Sequence, residues 1–410
     1  MLTPRGATVA LAGLAMWLAA RVVGSPGLEV VGLGLLALVA GALLRSRLGR
    51  PALTVRRRLS AAHVEPGTRV GVELEVTNVG ATRLPLLLLE DVVPAGLGRG
   101  ARLGLVDVRP RRPTRVGYTL LPQARGRYPI GPVRSDLVDP FGLTRRRVAV
   151  PVVDHLVVTP EVEHLPGATP EPTVTTSFGR ARARHLLRGS HEYSGMRPYQ
   201  IGDDLRRIHW RSVARTGELM IRQEEATRRA SAVLFLDDRR SALGQARTPG
   251  FERAVSVVAS LGVLLAREGF RLRYATPELA ATMVGANDLL ELLAGATDSR
   301  ARSITPRLTS LRQRGAADAA LVFVAAPPPP SELAAILRAG SGFGARMAVL
   351  VHPVEPAALP PDRMAQVEGR AAQARLAFTR AGWDCIVLTP STRLSQRWHA
   401  PHPVLLASNA

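Results

Sequence analysis

The densest run of reactive side chains lies between residues 189 and 225. It holds Glu192, Tyr193, Gly195, Arg197, Tyr199, Gly202, Asp203, Asp204, Arg207, Ile208, His209, Trp210, Arg215, Gly217, Leu219, Arg222 and Glu225. Two adjacent carboxyls with a histidine a few residues on can do general acid–base work, so a hydrolase acting through Asp203, Asp204 and His209 is one reading. A second reading pairs Asp203 and Asp204 with Arg206, Arg207 or Arg215 in a buried polar network, where loss of one member costs about 3–5 kcal/mol. A third makes Arg197, Tyr199 and Trp210 the anchors of a partner-binding face. The mixture of arginine, acids, aromatics and turn glycines is unlike the uniform composition of a linker.

Other chemistry is thin. Asp237, Asp238 and Ser241 follow a short apolar run, Ser231–Leu236, where a ligand would meet the end of a strand. Cys385 is the single cysteine; it lies in a predicted strand and reads as a small buried hydrophobe, and it excludes an internal disulfide. His185, His191 and His209 do not have zinc-ligand spacing. No HExxH, Walker A loop or Gly-x-Ser-x-Gly occurs.

The elements that would carry these residues are legible in the hydropathy pattern. Residues 1–50 read as a transmembrane helical hairpin, with spans at about 7–23 and 28–44 joined by Gly24-Ser25-Pro26-Gly27. Arg45, Arg47, Arg50, Arg56, Arg57 and Arg58 follow the second span and Arg5 precedes the first, against Arg21 alone near the connection. Positive charge is retained on the cytoplasmic side, so the chain is expected in the cell membrane with both termini cytoplasmic. Residues 51–160 alternate in period two, as at Val70, Val72, Leu74 and Val76, and predict an antiparallel, immunoglobulin-like β-sandwich. Residues 161–230 form a linker with the polar segment described above, and residues 231–410 alternate buried strands with helices, the pattern of a doubly wound parallel sheet. One of these helices, Ser331–Ala339, takes Ser331 as its cap. The fold class is therefore a membrane-anchored α/β plus all-β chain.

The segment Glu192-Tyr193…Gly195…Arg197…Tyr199, Gly202-Asp203-Asp204…Arg206-Arg207-Ile208-His209-Trp210, Ser212…Ala214-Arg215…Gly217-Glu218-Leu219 and Glu224-Glu225 resembles the signature of domain-of-unknown-function family 58. The close match spans about residues 185–240. The resemblance implies two N-terminal spans, a C-terminal domain like von Willebrand factor type A, and a bacterial setting beside a MoxR-type AAA+ ATPase. It implies no established activity. Domains of the von Willebrand type often hold a divalent metal through Asp-x-Ser-x-Ser; here Asp237 and Ser241 match, Arg239 replaces the middle serine, and Ala325-Ala326-Pro327 stands where an aspartate is expected. An arginine there repels a cation, so no cofactor is expected; were Mg2+ held, Asp237 and Ser241 would be its first ligands.

The chain carries a net charge of +21, and all 54 of its basic residues are arginine. The arginines are scattered rather than gathered into a stripe, and aromatics make up 4%, so no nucleic-acid partner is expected. The expected function is a non-enzymatic, membrane-anchored adaptor or scaffold, whose partners are the bilayer and an AAA+ ATPase or a membrane protein it remodels.

Overall fold

The computed structural model describes residues 1–48, 53–81, 83–98, 100–139, 141–166, 196–198, 210, 213–214, 217–222, 231–313 and 319–398. They belong to two units, Met1–Thr159 and Pro160–Ala410.

The first unit opens with two helices, α1 (Pro4–Val23) and α2 (Pro26–Leu48). Both start earlier than their apolar runs because Pro4 and Pro26 suit a first helical turn, where a missing N–H leaves nothing unpaired. Thr3 caps α1, its Oγ1 accepting the Gly6 N–H at 3.0 Å. Gly24, left-handed at φ 68°, ends α1 and returns its N–H to the Ala20 carbonyl. The helices meet through small residues: a Cβ on Gly32 would lie 2.7 Å from the Trp17 backbone nitrogen. Outward positions such as Leu11 and Val30 stay exposed, so apolar surface runs all round the pair. Both helices are long and apolar enough to cross a membrane.

The rest of this unit is β-structure. Strands β1 (Leu53–Leu59), β3 (Val70–Asn78) and β6 (Pro113–Leu120) make one sheet in the order β1-β3-β6. Strands β4 (Leu84–Asp91), β5 (Arg102–Val108), β8 (Val133–Val138) and β9 (Arg145–Val150) make another, ordered β5-β4-β8-β9, and all pairings in both are antiparallel. A third sheet joins β2 (His63–Val64), β10 (Asp154–Val158) and β7 (Gly126–Ile130), with β2 and β10 parallel. The period-two residues Val70, Val72, Leu74 and Val76 all face the core. One charged group crosses it. Arg57, fully buried, donates to both Asp91 oxygens (3.0 and 2.6 Å), to Asp154 Oδ2 (2.7 Å) and to the Ile130 carbonyl (3.0 Å). The Tyr118 hydroxyl donates to Asp91 at 2.6 Å. Burial, then that bond, push its pKa well above the ordinary tyrosine value.

The second unit contains a short pair, β11 (Met196–Pro198) with β12 (Met220–Arg222), and a six-stranded sheet. The sheet's strands are β13 (Ser231–Leu236), β14 (Arg271–Ala275), β15 (Thr282–Val284), β16 (Ala319–Ala325), β17 (Ala345–Val351) and β18 (Asp384–Leu388), in the order β15-β14-β13-β16-β17-β18. Every pair is parallel except β14–β15. The helices described between residues 231 and 398 are α3 (Arg240–Leu243), α4 (Pro249–Arg267), α5 (Ala286–Ala294), α6 (Thr305–Gln313), α7 (Pro330–Gly340), α8 (Pro361–Arg380) and α9 (Leu394–Trp398). On one face of the sheet, Phe251, Val255, Val258 and Leu265 of α4 bury against Leu234, Leu236, Val322 and Val324. On the other, Phe235 stacks on Phe323 at 5.3 Å, and Leu308, Ile336 and Phe378 close over them. The helix α4 also has the length and composition of a span, but it is mostly buried, and it serves as the core helix of this unit.

Three features differ from the sequence reading. The sheet is not wholly parallel, since β15 adds an antiparallel edge too short to show a period. Helix α6 buries only Leu308 and Leu311 and so lacks an apolar stripe. Helix α7 starts at Pro330 behind Pro329 with no side-chain cap, so Ser331 is not its cap: the proline run presets the helical φ by itself. Residues 161–165 also pack into the second unit. Glu163 accepts from Arg253 (2.9 Å) and from the Leu394 and Ser395 N–H groups (3.1 and 2.8 Å) at the start of α9.

Candidate functional site

Strand order in the parallel sheet reverses between β13 and β16, because the chain leaves β13 for β14 on one side and returns to β16 on the other. Such a reversal leaves a crevice beyond the carboxyl ends of the two strands, the usual ligand position of an open α/β sheet. Asp237, Asp238 and Arg239 follow β13 there, and Glu332 enters from the first turn of α7 after β16.

Arg239 fills the crevice. Its Nε and Nη2 donate to the two Asp237 oxygens at 2.8 Å each, and its Nη1 and Nη2 donate to the two Glu332 oxygens, also at 2.8 Å. Asp237 and Arg239 side chains are almost wholly buried and Glu332 is three-quarters buried. The planar guanidinium suits this double bidentate clamp, which a lysine could not make. Glu332 gains further from the helix N-terminus beneath it. Burial pushes the Asp237 carboxyl above its ordinary range, with Arg239 opposing.

Asp238 is the chemically open group. It is buried, and its Oδ1 has no hydrogen-bond partner. Burial pushes its carboxyl up to about 6; the Ser299 and Thr276 hydroxyls oppose the rise, and Asp237 and Glu278 add to it. A carboxyl with that pKa exchanges a proton near neutral pH. The loop around it is braced: Ser299 N–H donates to the Asp238 carbonyl at 2.9 Å, and Asp298 accepts from Arg240 (2.6 Å) and the Ala246 N–H (2.8 Å).

The donor set does not fit Mg2+. Both Asp237 oxygens are taken by a cationic side chain, Ser241 is exposed on α3, and a hard cation needs several free oxygens. Among the described residues no three of His, Cys, Asp and Glu come close enough to hold a metal.

Of the signature residues, the structure pairs the strands bearing Arg197 and Arg222, with Arg197 opposite Ile221 and Met196 opposite Arg222. Trp210 is 67% exposed and Leu219 is 42% exposed. Gly217 is left-handed at φ 75°, and its N–H closes a turn on the Val213 carbonyl. Glu192, Tyr193, Gly195, Tyr199, Gly202, Asp203, Asp204, Arg207, Ile208, His209, Arg215 and Glu225 lie outside the described residues. Cys385 is half-buried in β18. Sequence reasoning missed Glu332; its one signal was an acid in the first turn of a helix that follows a core strand.

A family model described as a protein of unknown function, DUF58, matches residues 195–284. The uncharacterized protein YeaD of Bacillus subtilis (strain 168) is 26% identical over 210 residues, covering 50% of this chain and 51% of that protein. The chain thus spans about half the length of this curated relative. Among solved structures, the CARDB domain of the PF1109 protein from Pyrococcus furiosus, in complex with di-metal ions, aligns with a TM-score of 0.18 and 15% identity. That alignment covers 24% of this chain and 93% of the domain. A chain of the human seminal complex of zinc 2-glycoprotein and prolactin-inducible protein aligns with a TM-score of 0.20 and 13% identity, over 27% of this chain and 98% of its own.

Proposed function

We propose that the protein is a membrane-anchored adaptor whose α/β unit, of von Willebrand factor A-like type, presents a protein-binding face to the cytoplasm. The observation that carries this reading is Trp210, largely exposed within the segment that the family model matches, with the exposed Leu219 nearby in sequence. A large aromatic left in solvent is the residue type that most often anchors an interface. The clamp of Asp237, Arg239 and Glu332 supports it further, because it leaves the strand-end crevice occupied by the chain's own side chains. The partner we propose is a MoxR-type AAA+ ATPase or a membrane protein that it remodels, and both chain ends are cytoplasmic.

Cross-linking and co-purification from native membranes test this, comparing the intact chain with Trp210→Ala and with an Asp204→Ala, His209→Ala double variant. The intact chain captures the ATPase and Trp210→Ala does not. Equal capture by Trp210→Ala would overturn the reading. A reporter active only in the cytoplasm, fused after Ala410, reads the orientation. The enzymatic alternative, hydrolysis through Asp203, Asp204 and His209, gains from one observation, a further buried acid, Asp238, with one carboxyl oxygen unpartnered. It requires the Asp204→Ala, His209→Ala double variant to abolish a turnover that the intact chain shows.

A further inference from the structure

We infer that one end of the β-sandwich is itself a lipid-binding surface, seated in the headgroup layer and selective for anionic lipids. The inference rests on reading α1 and α2 as membrane spans.

The strand register fixes which end this is. The Leu2 backbone bridges to Thr144, Thr3 N–H donates to the Leu143 carbonyl at 2.9 Å, and Thr3 Oγ1 donates to the Gly142 carbonyl at 2.6 Å. At the other helix, Arg146 Nη1 donates to the Ser46 carbonyl at 2.7 Å, in the last turns of α2. The turn from β8 to β9 therefore holds the sandwich-side ends of both spans. Since a helix rises about 1.5 Å per residue, residues bonded to Thr3 and Ser46 lie within a turn of the hydrocarbon boundary.

The pairings extend that level across the sandwich. Arg145 opposes Val138, Val138 opposes Leu86, and Leu84 opposes Val108, while Asn78 opposes Leu53 and bridges to Pro110. The loops after β3, β5 and β8 thus emerge at the same end. They carry Arg83, Arg109, Arg111, Arg112 and Arg145, all exposed, against three acids: Asp107, which pairs with Arg83 (3.7 Å) and Arg109 (3.3 Å), Asp136, which pairs with Arg145, and Asp139. Asp139 is spent within its own turn, accepting from the Phe141 N–H at 2.8 Å and from the Thr144 backbone and hydroxyl. Exposed Arg5 and Arg45 add to the charge from the helix ends. Phe141 at the tip of the turn is 60% exposed and Val79 is 54% exposed. Apolar tips ringed by arginines match an interface in which the tips enter the acyl boundary and the guanidiniums hold phosphates. The opposite end, where Val153 is exposed, lies about 20 Å away along strands of six or more residues.

The test uses the full chain in vesicles of phosphatidylcholine with phosphatidylglycerol, with Cys385→Ser and one new cysteine at a time: Phe141→Cys, Leu11→Cys or Val153→Cys. Each carries an environment-sensitive fluorophore, read against nitroxide lipids labelled at the headgroup or deep in the chain. The inference expects headgroup quenching at Phe141, deep quenching at Leu11 and neither at Val153. It also expects a nitroxide-bearing anionic lipid to quench Phe141 about two-fold more than a neutral one. That preference disappears when Arg83, Arg109, Arg111 and Arg112 are all changed to glutamine. Deep quenching at Leu11 without quenching at Phe141 overturns the lipid surface while leaving the tether intact. Equal quenching by anionic and neutral lipid overturns the selectivity. Absence of quenching at Leu11 overturns the membrane tether and this inference with it.

Discussion

Replacing Arg239 by serine isolates what the guanidinium does in the strand-end crevice. In the intact chain four hydrogen bonds of 2.8 Å tie it to Asp237 and Glu332. Arg239→Ser removes the cation that bridges these carboxylates and leaves one of them nearly fully buried. Breaking a buried pair from one side costs about 3–5 kcal/mol, two to four orders of magnitude in the folded population. The assay is urea unfolding of the detergent-solubilised full chain, followed through the buried Trp383 and Trp398, both of which report on the α/β unit. Acid should rescue part of the loss, because protonating either carboxyl removes the repulsion between them. The substitution also creates the Asp-x-Ser-x-Ser spacing from Asp237 to Ser241, so millimolar Mg2+ should raise the variant's midpoint and leave that of the intact chain unchanged. A loss below about 1 kcal/mol would refute the claim that Arg239 neutralises the crevice.

Asp238→Asn should act in the opposite direction and with pH. The folded-state pKa of about 6 exceeds the ordinary 3.8, so the folded chain holds this proton more tightly than the unfolded chain. Stability from that proton is complete below pH 3.8 and is lost as pH rises through 6, about 3 kcal/mol in all. The asparagine variant should therefore be more stable than the intact chain at pH 7.5 and no more stable at pH 3.5; a constant difference in urea melts would sink this account. Arg57→Met leaves Asp91 buried without its cation and should cost the sandwich about 3–5 kcal/mol, measured by pulse proteolysis since no tryptophan lies among its strands. Gly340→Ala would put a Cβ 2.0 Å from the Trp383 ring, an overpacking worth about 1–3 kcal/mol in a thermal melt read by tryptophan fluorescence.

The large elements were legible because each has a pattern set by its surroundings. Two all-apolar runs around Gly24-Ser25-Pro26-Gly27 become the helix pair, the alternation at Val70–Val76 becomes a core strand, and Ser231–Leu236 and Ala319–Ala325 become strands covered on both faces. Pattern fails where burial is slight, as at β15 and α6. The site was half legible. Asp237, Asp238 and Arg239 stand at a strand end in any reading of the sequence, and Arg239 was read as hostile to a cation. Its actual partner, Glu332, lies 93 residues away, and only the strand order brings it across. The raised pKa of Asp238 was largely hidden, since burial is its main cause, with the neighbouring Asp237 and then Glu278 after β14 adding to it.

The charged knot in the sandwich also bears on how the unit is made. Arg57 sits on the first strand to follow the helices, but Asp154 comes 97 residues later. At about 5–20 residues per second of synthesis, Arg57 waits roughly 5–20 s before its last partner exists. During that interval any compact intermediate that buries β1 must bury an incompletely paired guanidinium, which disfavours early collapse. The sandwich should therefore assemble late and all at once, with amides of β1, β4 and β10 exchanging together in hydrogen exchange rather than strand by strand.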